Sequence, residues 1–197
     1  MMLIEDTPVA EAALPLEAFK AHLRIGSGFG LDGIQDAVLV SFLRAALAAV
    51  EARTGKALLL RSFHCEVTGW RDPAVQGLPI APVTQITAFR VVTRQGAETV
   101  IGSDLFWLER DMHRPKLRSV GAALPMIPSG GSAHVAIEAG LGATWDQVPV
   151  DLQQAVLMLA AHYYEYRNDT GLSGGCMPFG VSSLIERYKN IRLGVAQ

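Results

Sequence analysis

Cysteine is scarce in this 197-residue chain, with Cys65 and Cys176 far apart. Neither belongs to a CxxC pair, so the sequence carries no zinc or redox signature. Charge is also thin. Charged residues are 18% of the chain, against roughly 25% in ordinary soluble domains. The formal net charge of −2 argues against a dedicated nucleic-acid binder, which needs a basic face. A passive conduit for DNA stays open, since strong attraction would hinder passage. Long apolar runs are missing, and the longest falls well short of the ~20 residues that span a bilayer. No basic-plus-apolar leader opens the chain, where residues 1–6 run at once into Thr7-Pro8. These absences predict a chain made in the cytoplasm with reduced thiols. There is no internal repeat and no low-complexity tract.

What is abundant is apolar side chain, half of all residues, enough for a well-filled core. An apolar chain with so few charges is either alanine-rich and compact or partly covered by other subunits. The stretch VPVDLQQAVLMLAAHYYEYR (148–167) bears on that choice. Asp151 with Gln154 has capping-box spacing, and Pro149 stops any earlier element from running through. Leu152, Ala155, Val156, Leu159, Ala160 and Tyr163 share one helical face, and Val150, Leu157, Ala161 and Tyr164 form a second apolar strip. A helix apolar over so much of its girth is covered on several sides. It reads as the centre of a small bundle, or as a helix shared between core and subunit contact.

Upstream, Pro15 suits a first helical position, and Leu16, Phe19 and Leu23 mark a short helix behind an arm at 1–13. The loop GSGFGLDG (26–33) places Gly28, Gly30 and Gly33 at GxGxxG spacing. A helix rather than a strand precedes it, which is the wrong context for a dinucleotide site. Asp32 and Gln35 repeat the capping pattern, and a helix is predicted over 33–54 with Gly55 closing it. Its two apolar strips include Leu39 and Leu43.

From residue 58 the grammar changes. Phe63, Cys65 and Val67 alternate with Ser62, His64 and Glu66 as a strand. Residues 70–77 read as a turn region. Further strands are predicted at 83–93, 98–101, 105–109, 116–120 and 134–139, with RQGA (94–97) as a hairpin turn. A last short helix spans 179–188 and precedes the tail IRLGVAQ. The fold class is α+β: a small helical bundle of about four helices, with a β-rich insertion between the second and third. The helical part covers 14–56 and 148–192, and the insertion 57–140.

Candidate chemistry is thin. GLSGG (171–175) fits GxSxG, but a helix precedes Ser173 and neither histidine nor aspartate follows the motif's end as an elbow needs. His162 and Glu165 have ligand-compatible spacing without a second pair to complete a site. Cys65 reads as a small buried apolar group. Asp104, Glu109 and Asp111 interleave with Arg110, Arg114, Lys116 and Arg118. Such mixed charge suits a subunit contact better than a phosphate track. No catalytic residue, metal site or cofactor emerges. The competing readings are a small hydrolase-type enzyme using Ser173 or His162/Glu165, and a soluble binding module using the β insertion.

Several strings in order resemble one family: LEAFKAHLRI (16–25), VEARTGKAL (50–58), LPIAPV (78–83), the 148–167 helix, and PFGVSSLIERY (178–188). Together they are similar to the phage head–tail connector proteins, also called head-completion or adaptor proteins, of long-tailed phages and gene transfer agents. One departure is the loop after Ile25, where the family carries acids and this chain has glycines. The resemblance implies a single connector domain over 1–197 and a structural, non-enzymatic virion protein. It implies a homo-oligomeric ring, a dodecamer, under the portal protein. That ring would extend the channel, let DNA pass without sequence-specific binding, and offer a platform to a tail-side stopper component. No membrane contact is implied. Portal docking is expected from Phe179, Leu184, Ile185, Tyr188, Ile191, Arg192 and Leu193. Subunit contacts are expected from Leu39, Leu43, Leu157 and Tyr164. Their motive is apolar helix surface in excess of what a lone core needs.

Overall fold

The computed structural model describes residues 1–24, 35–167 and 177–189. They fall into two compact units that the chain visits alternately. Met1–Pro8 and Gly55–Ala143 form a β unit, and Val9–Thr54 and Thr144–Gln197 a helical unit. Each is described on its own.

The helical unit contains α1 (Leu16–His22), α2 (Asp36–Thr54), α3 (Val150–Glu165) and α4 (Phe179–Ile185), the last continued by one turn of tighter helix at Glu186–Tyr188. α2 packs on α3, α3 on α4, and α1 touches both α2 and α3. The three-and-four spacing explains the buried sets: Leu39, Val40, Leu43, Ala46, Leu47 and Val50 on α2, and Leu152, Ala155, Val156, Leu159 and Ala160 on α3. Phe19 is buried on α1, and Arg44 donates to the Val9 carbonyl at 2.8 Å, tying the start of the unit to α2. Lys20 bridges to Asp36 at 2.8 Å, and that contact, with Glu17, raises the pKa of its ammonium. Gly55, at φ 67°, ends α2 in the left-handed conformation that a Cβ would disfavour.

The β unit is two antiparallel sheets. Its strands are β1 (Met2–Glu5), β2 (Arg61–Val67), β3 (Val75–Gly77), β4 (Val83–Val92), β5 (Glu98–Val100), β6 (Phe106–Glu109), β7 (Lys116–Ser119) and β8 (Ser132–Ala139). The larger sheet has the order β1-β2-β8-β4-β5 and the smaller β3-β7-β6. Strand β2 alternates cleanly, with Phe63, Cys65 and Val67 inward, and in β8 Ala133, Val135, Ile137 and Ala139 do the same. The two inner faces share one core with Phe89, Val91, Leu117 and Leu124, against which Phe106, Leu108 and Trp70 pack. Phe89 meets Phe106 and Trp70 edge-on, with ring centroids 5.4 and 6.0 Å apart. Burial alone pushes the Cys65 thiol up to about 12, so it behaves as an apolar filler.

Three expectations change. The arm at 1–13 holds a strand: Met2–Glu5 pairs with Phe63–Glu66, fastened by Asp6 to His64 at 2.5 Å and Glu5 to Arg61 at 2.6 Å. The turn region 70–77 ends in β3, whose three residues are too few to show a period. Asp151 is not the N-cap of α3, because Pro149 occupies that place and the helix starts at Val150. The RQGA hairpin is present between β4 and β5, with Gly96 at φ 85°. The GxGxxG loop and the Asp32 cap lie outside the described residues.

Candidate assembly surfaces

α3 and α4 pack against each other within the helical unit. They run antiparallel. Near one end Tyr188 donates its hydroxyl hydrogen to Asp151 Oδ1 at 2.8 Å, while near the other Gly180 approaches the Met158 side chain so closely that an added Cβ would lie 2.9 Å from its Cε. Asp151, one residue inside the helix, accepts the Leu152 N–H at 3.0 Å and also turns its carboxylate to the last helix. Arg187 bridges to its Oδ2 at 2.9 Å and lies 4.8 Å over the Tyr188 ring. Burial, its leading cause, raises the Tyr188 pKa, and the phenol stays a donor. A shallow groove of about 540 Å³ runs beside this network, lined by Pro149, Val150, Asp151, Gln154, Leu184 and Arg187.

The expected docking residues separate by burial. Phe179 is 88% exposed and Val150 77%. Leu184 and Leu157 are half-buried. Ile185 and Tyr188 are buried and hold α4 in place rather than facing outward. Ile191, Arg192 and Leu193 lie outside the described residues. Among the expected subunit contacts, Leu39 and Leu43 are corrected to core, at 1% and 0% exposure. A side chain already covered within one chain has no area left for another copy. Tyr164 is half-buried, edge-on to Phe42 at 6.0 Å, with Arg167 4.6 Å over its ring.

The polar candidates resolve into local structure. Glu109 bonds Lys116 at 2.8 Å and also Arg118, and these two cations hold its carboxyl below the usual range. Asp111 accepts from the backbone N–H groups of Arg114 and His113 at 2.6 and 2.7 Å, which lowers its pKa and folds the β6–β7 turn. Lys56 is fully buried with Nζ 3.2 Å from His113 Nδ1, and burial lowers its pKa. His162 lies against Tyr166, ring centroids 4.7 Å apart, and Glu165 is exposed. Ser173 and Cys176 lie outside the described residues. Among the described residues no group of three metal-ligating side chains converges.

A Ser–His–acid set does occur on the outer face of the large sheet. Ser132 Oγ lies 2.9 Å from His134 Nε2, and Glu66 Oε1 lies 4.0 Å from the same nitrogen. A relay needs the hydroxyl and the acid on opposite ring nitrogens, so this set does not form one.

Sequence reasoning did not single out Val100, Leu105, Trp107 and Val120, whose exposures are 78, 51, 47 and 62%. A tryptophan within a short strand was the signal available.

No family model matches the chain, and no curated protein does. Solved structures do match. One from the neck of an empty gene transfer agent (GTA) particle, computed with C6 symmetry, is 49% identical at a TM-score of 0.90, covering 100% of this chain and 99% of that one. One from the virion of a native GTA particle is 49% identical at 0.87, with the same coverage. One from the neck of a native GTA particle, computed with C12 symmetry, is 46% identical at 0.85, again over 100% and 99%. Identity of this size over the full length, joined to TM-scores of 0.85 to 0.90, makes the chain a member of the head–tail connector family of gene transfer agent necks.

Proposed function

We propose that this connector forms a twelve-membered ring beneath the portal, with the outer face of α3–α4 as its docking surface and the channel left to DNA that is not read by sequence. As a head–tail connector it is a structural component of the particle neck, within an oligomeric ring. The observation that carries the finer reading is Phe179, almost fully exposed at the head of a helix that Asp151, Arg187 and Tyr188 clamp in place. An aromatic held outward on a rigid support is the usual form of an interface anchor. The low charge of the chain fits a lumen through which DNA must slide. The role is architectural rather than catalytic, and a tail-side stopper is the partner on the opposite rim.

The test is a portal pull-down with Phe179→Asp and Leu184→Asp, alongside a chain ending at Tyr188. Loss of portal binding at least tenfold, with an unchanged thermal melt, is expected for the two substitutions. Retained binding in both removes the α3–α4 face from the docking site. Particles made without the protein should be filled heads lacking tails. Normally tailed particles would refute the connector role itself.

A further inference from the structure

The ring reading leaves open which surfaces of neighbouring copies meet, and the β unit contains two that differ and lie on opposite flanks. The sheets stack with β1 near β3, since Met1 Sδ lies 3.6 Å from Gln76 Nε2. They stack with β4 over β6, since Phe89 touches Phe106. The edges of the sandwich are therefore β1 with β3 on one flank, and β5 with β6 on the other.

Both flanks expose apolar groups. Along β5 and β6 stand Val100 (78%), Leu105 (51%) and Trp107 (47%), with Val120 donating its N–H to the Leu105 carbonyl at 3.0 Å. Arg118 sits across from Trp107 in register, 5.9 Å over its ring. At the start of β1 stand Met2 (51%) and, just before it, Met1 (57%). β1, β5 and β6 are short edge strands without lysine or proline, each with a single glutamate (Glu5, Glu98 and Glu109). The charged groups of both flanks have partners within the chain: Glu109 with Lys116 and Arg118, Glu98 with Arg90, Glu5 with Arg61, and Asp6 with His64.

We propose that the β5/β6 flank of one connector docks on the β1/β3 flank of the next copy, so that the sandwiches join edge to edge around the neck. The inference rests on the ring reading. Its occupant is a second copy because relatives 46–49% identical over the whole chain sit in necks of C6 and C12 symmetry. A rotational ring needs two different, mutually complementary patches on each copy. Two opposite sheet edges meet that need, with backbone pairing for strength and Trp107 and Arg118 as anchors.

The experiment uses the full chain in assembled particles. Cys176→Ser removes the thiol outside the described residues, and Cys65 is buried and unreactive. Into that chain go Met2→Cys, Val100→Cys, or both, followed by a short bismaleimide. The double variant should give a ladder of covalent multimers, and each single variant should stay monomeric, since like positions do not meet head to tail. Should the double variant melt early, Glu5→Cys with Glu98→Cys replaces it. Particles whose necks contain the chain but yield no ladder overturn this contact and leave the ring reading intact. Single variants that cross-link as well as the double overturn it too, because they require a symmetric contact. Necks that lack the unsubstituted chain overturn the ring reading, and this contact with it.

Discussion

Along α2 the large apolar side chains are mostly inside and the small ones outside. α2 buries Leu39, Leu43 and Leu47, and its exposed positions are mostly Ala37, Ser41, Ala45, Ala48 and Ala52, with Val38 and Arg53 the larger exceptions. In the β unit the interior is filled as well, yet its edges and loops expose Val100, Leu105, Trp107, Val120 and four methionines. The difference teaches where apolar surface is surplus. An outward alanine adds little unburied area, whereas an outward tryptophan on an open strand edge leaves a large apolar surface in water unless something covers it. High apolar content in α2 is thus mostly satisfied within the chain, and the larger exposed apolar groups sit mainly on the sheet edges and loops of the β unit and on the α3–α4 face.

The sharpest way to break this contrast is to truncate one inner and one outer aromatic of the β unit. Phe89→Ala should destabilise by about 4 kcal/mol, read as a shift in the urea midpoint of the purified chain. Trp107→Ala should stay within about 0.5 kcal/mol. Equal losses would mean that Trp107 already belongs to the core and that no free flank exists. In the helical unit the clamp is polar. Tyr188→Phe removes the hydroxyl that Asp151 accepts and should cost about 1 kcal/mol, with portal binding falling through loss of α4 alignment. A stability equal to the parent would show that apolar packing alone holds α4.

The smallest effect is a pH dependence. Glu109 is lowered by Lys116 and Arg118, so its folded carboxylate binds protons less readily than the unfolded one. Stability from this group is complete above the ordinary carboxylate range and is lost as pH falls through the lower folded value. The gap in urea midpoint between the parent and Glu109→Gln should therefore be widest near neutrality and close in acid. A gap that widens in acid would contradict the assigned pairing.

Much of the fold was legible because both periods are strong. α2 and α3 follow three-and-four spacing, β2 and β8 follow strict alternation, and the hairpin glycine stands where a positive φ is needed. β3 was hidden by its length. β1 was hidden because an isolated four-residue strand is defined by its partner β2, sixty residues away in the chain. The apparent N-cap Asp151 shows a different limit. Its spacing with Gln154 suits a cap, but Tyr188 and Arg187 arrive from the turn after α4 and share the carboxylate with the Leu152 N–H.

The same limit governs the assembly surface. Periodicity states which residues share a face, and burial then depends on how many neighbours reach that face. Leu43 and Leu157 look alike in the sequence, yet Leu43 is enclosed and Leu157 only half so. The order of residues by itself determined the α+β class, the position of the β insertion and the resemblance to connectors, since these rest on local spacing and on strings. Which apolar groups remain for other subunits was decided by the tertiary structure alone, because exposure is a property of the packed chain and of no segment within it.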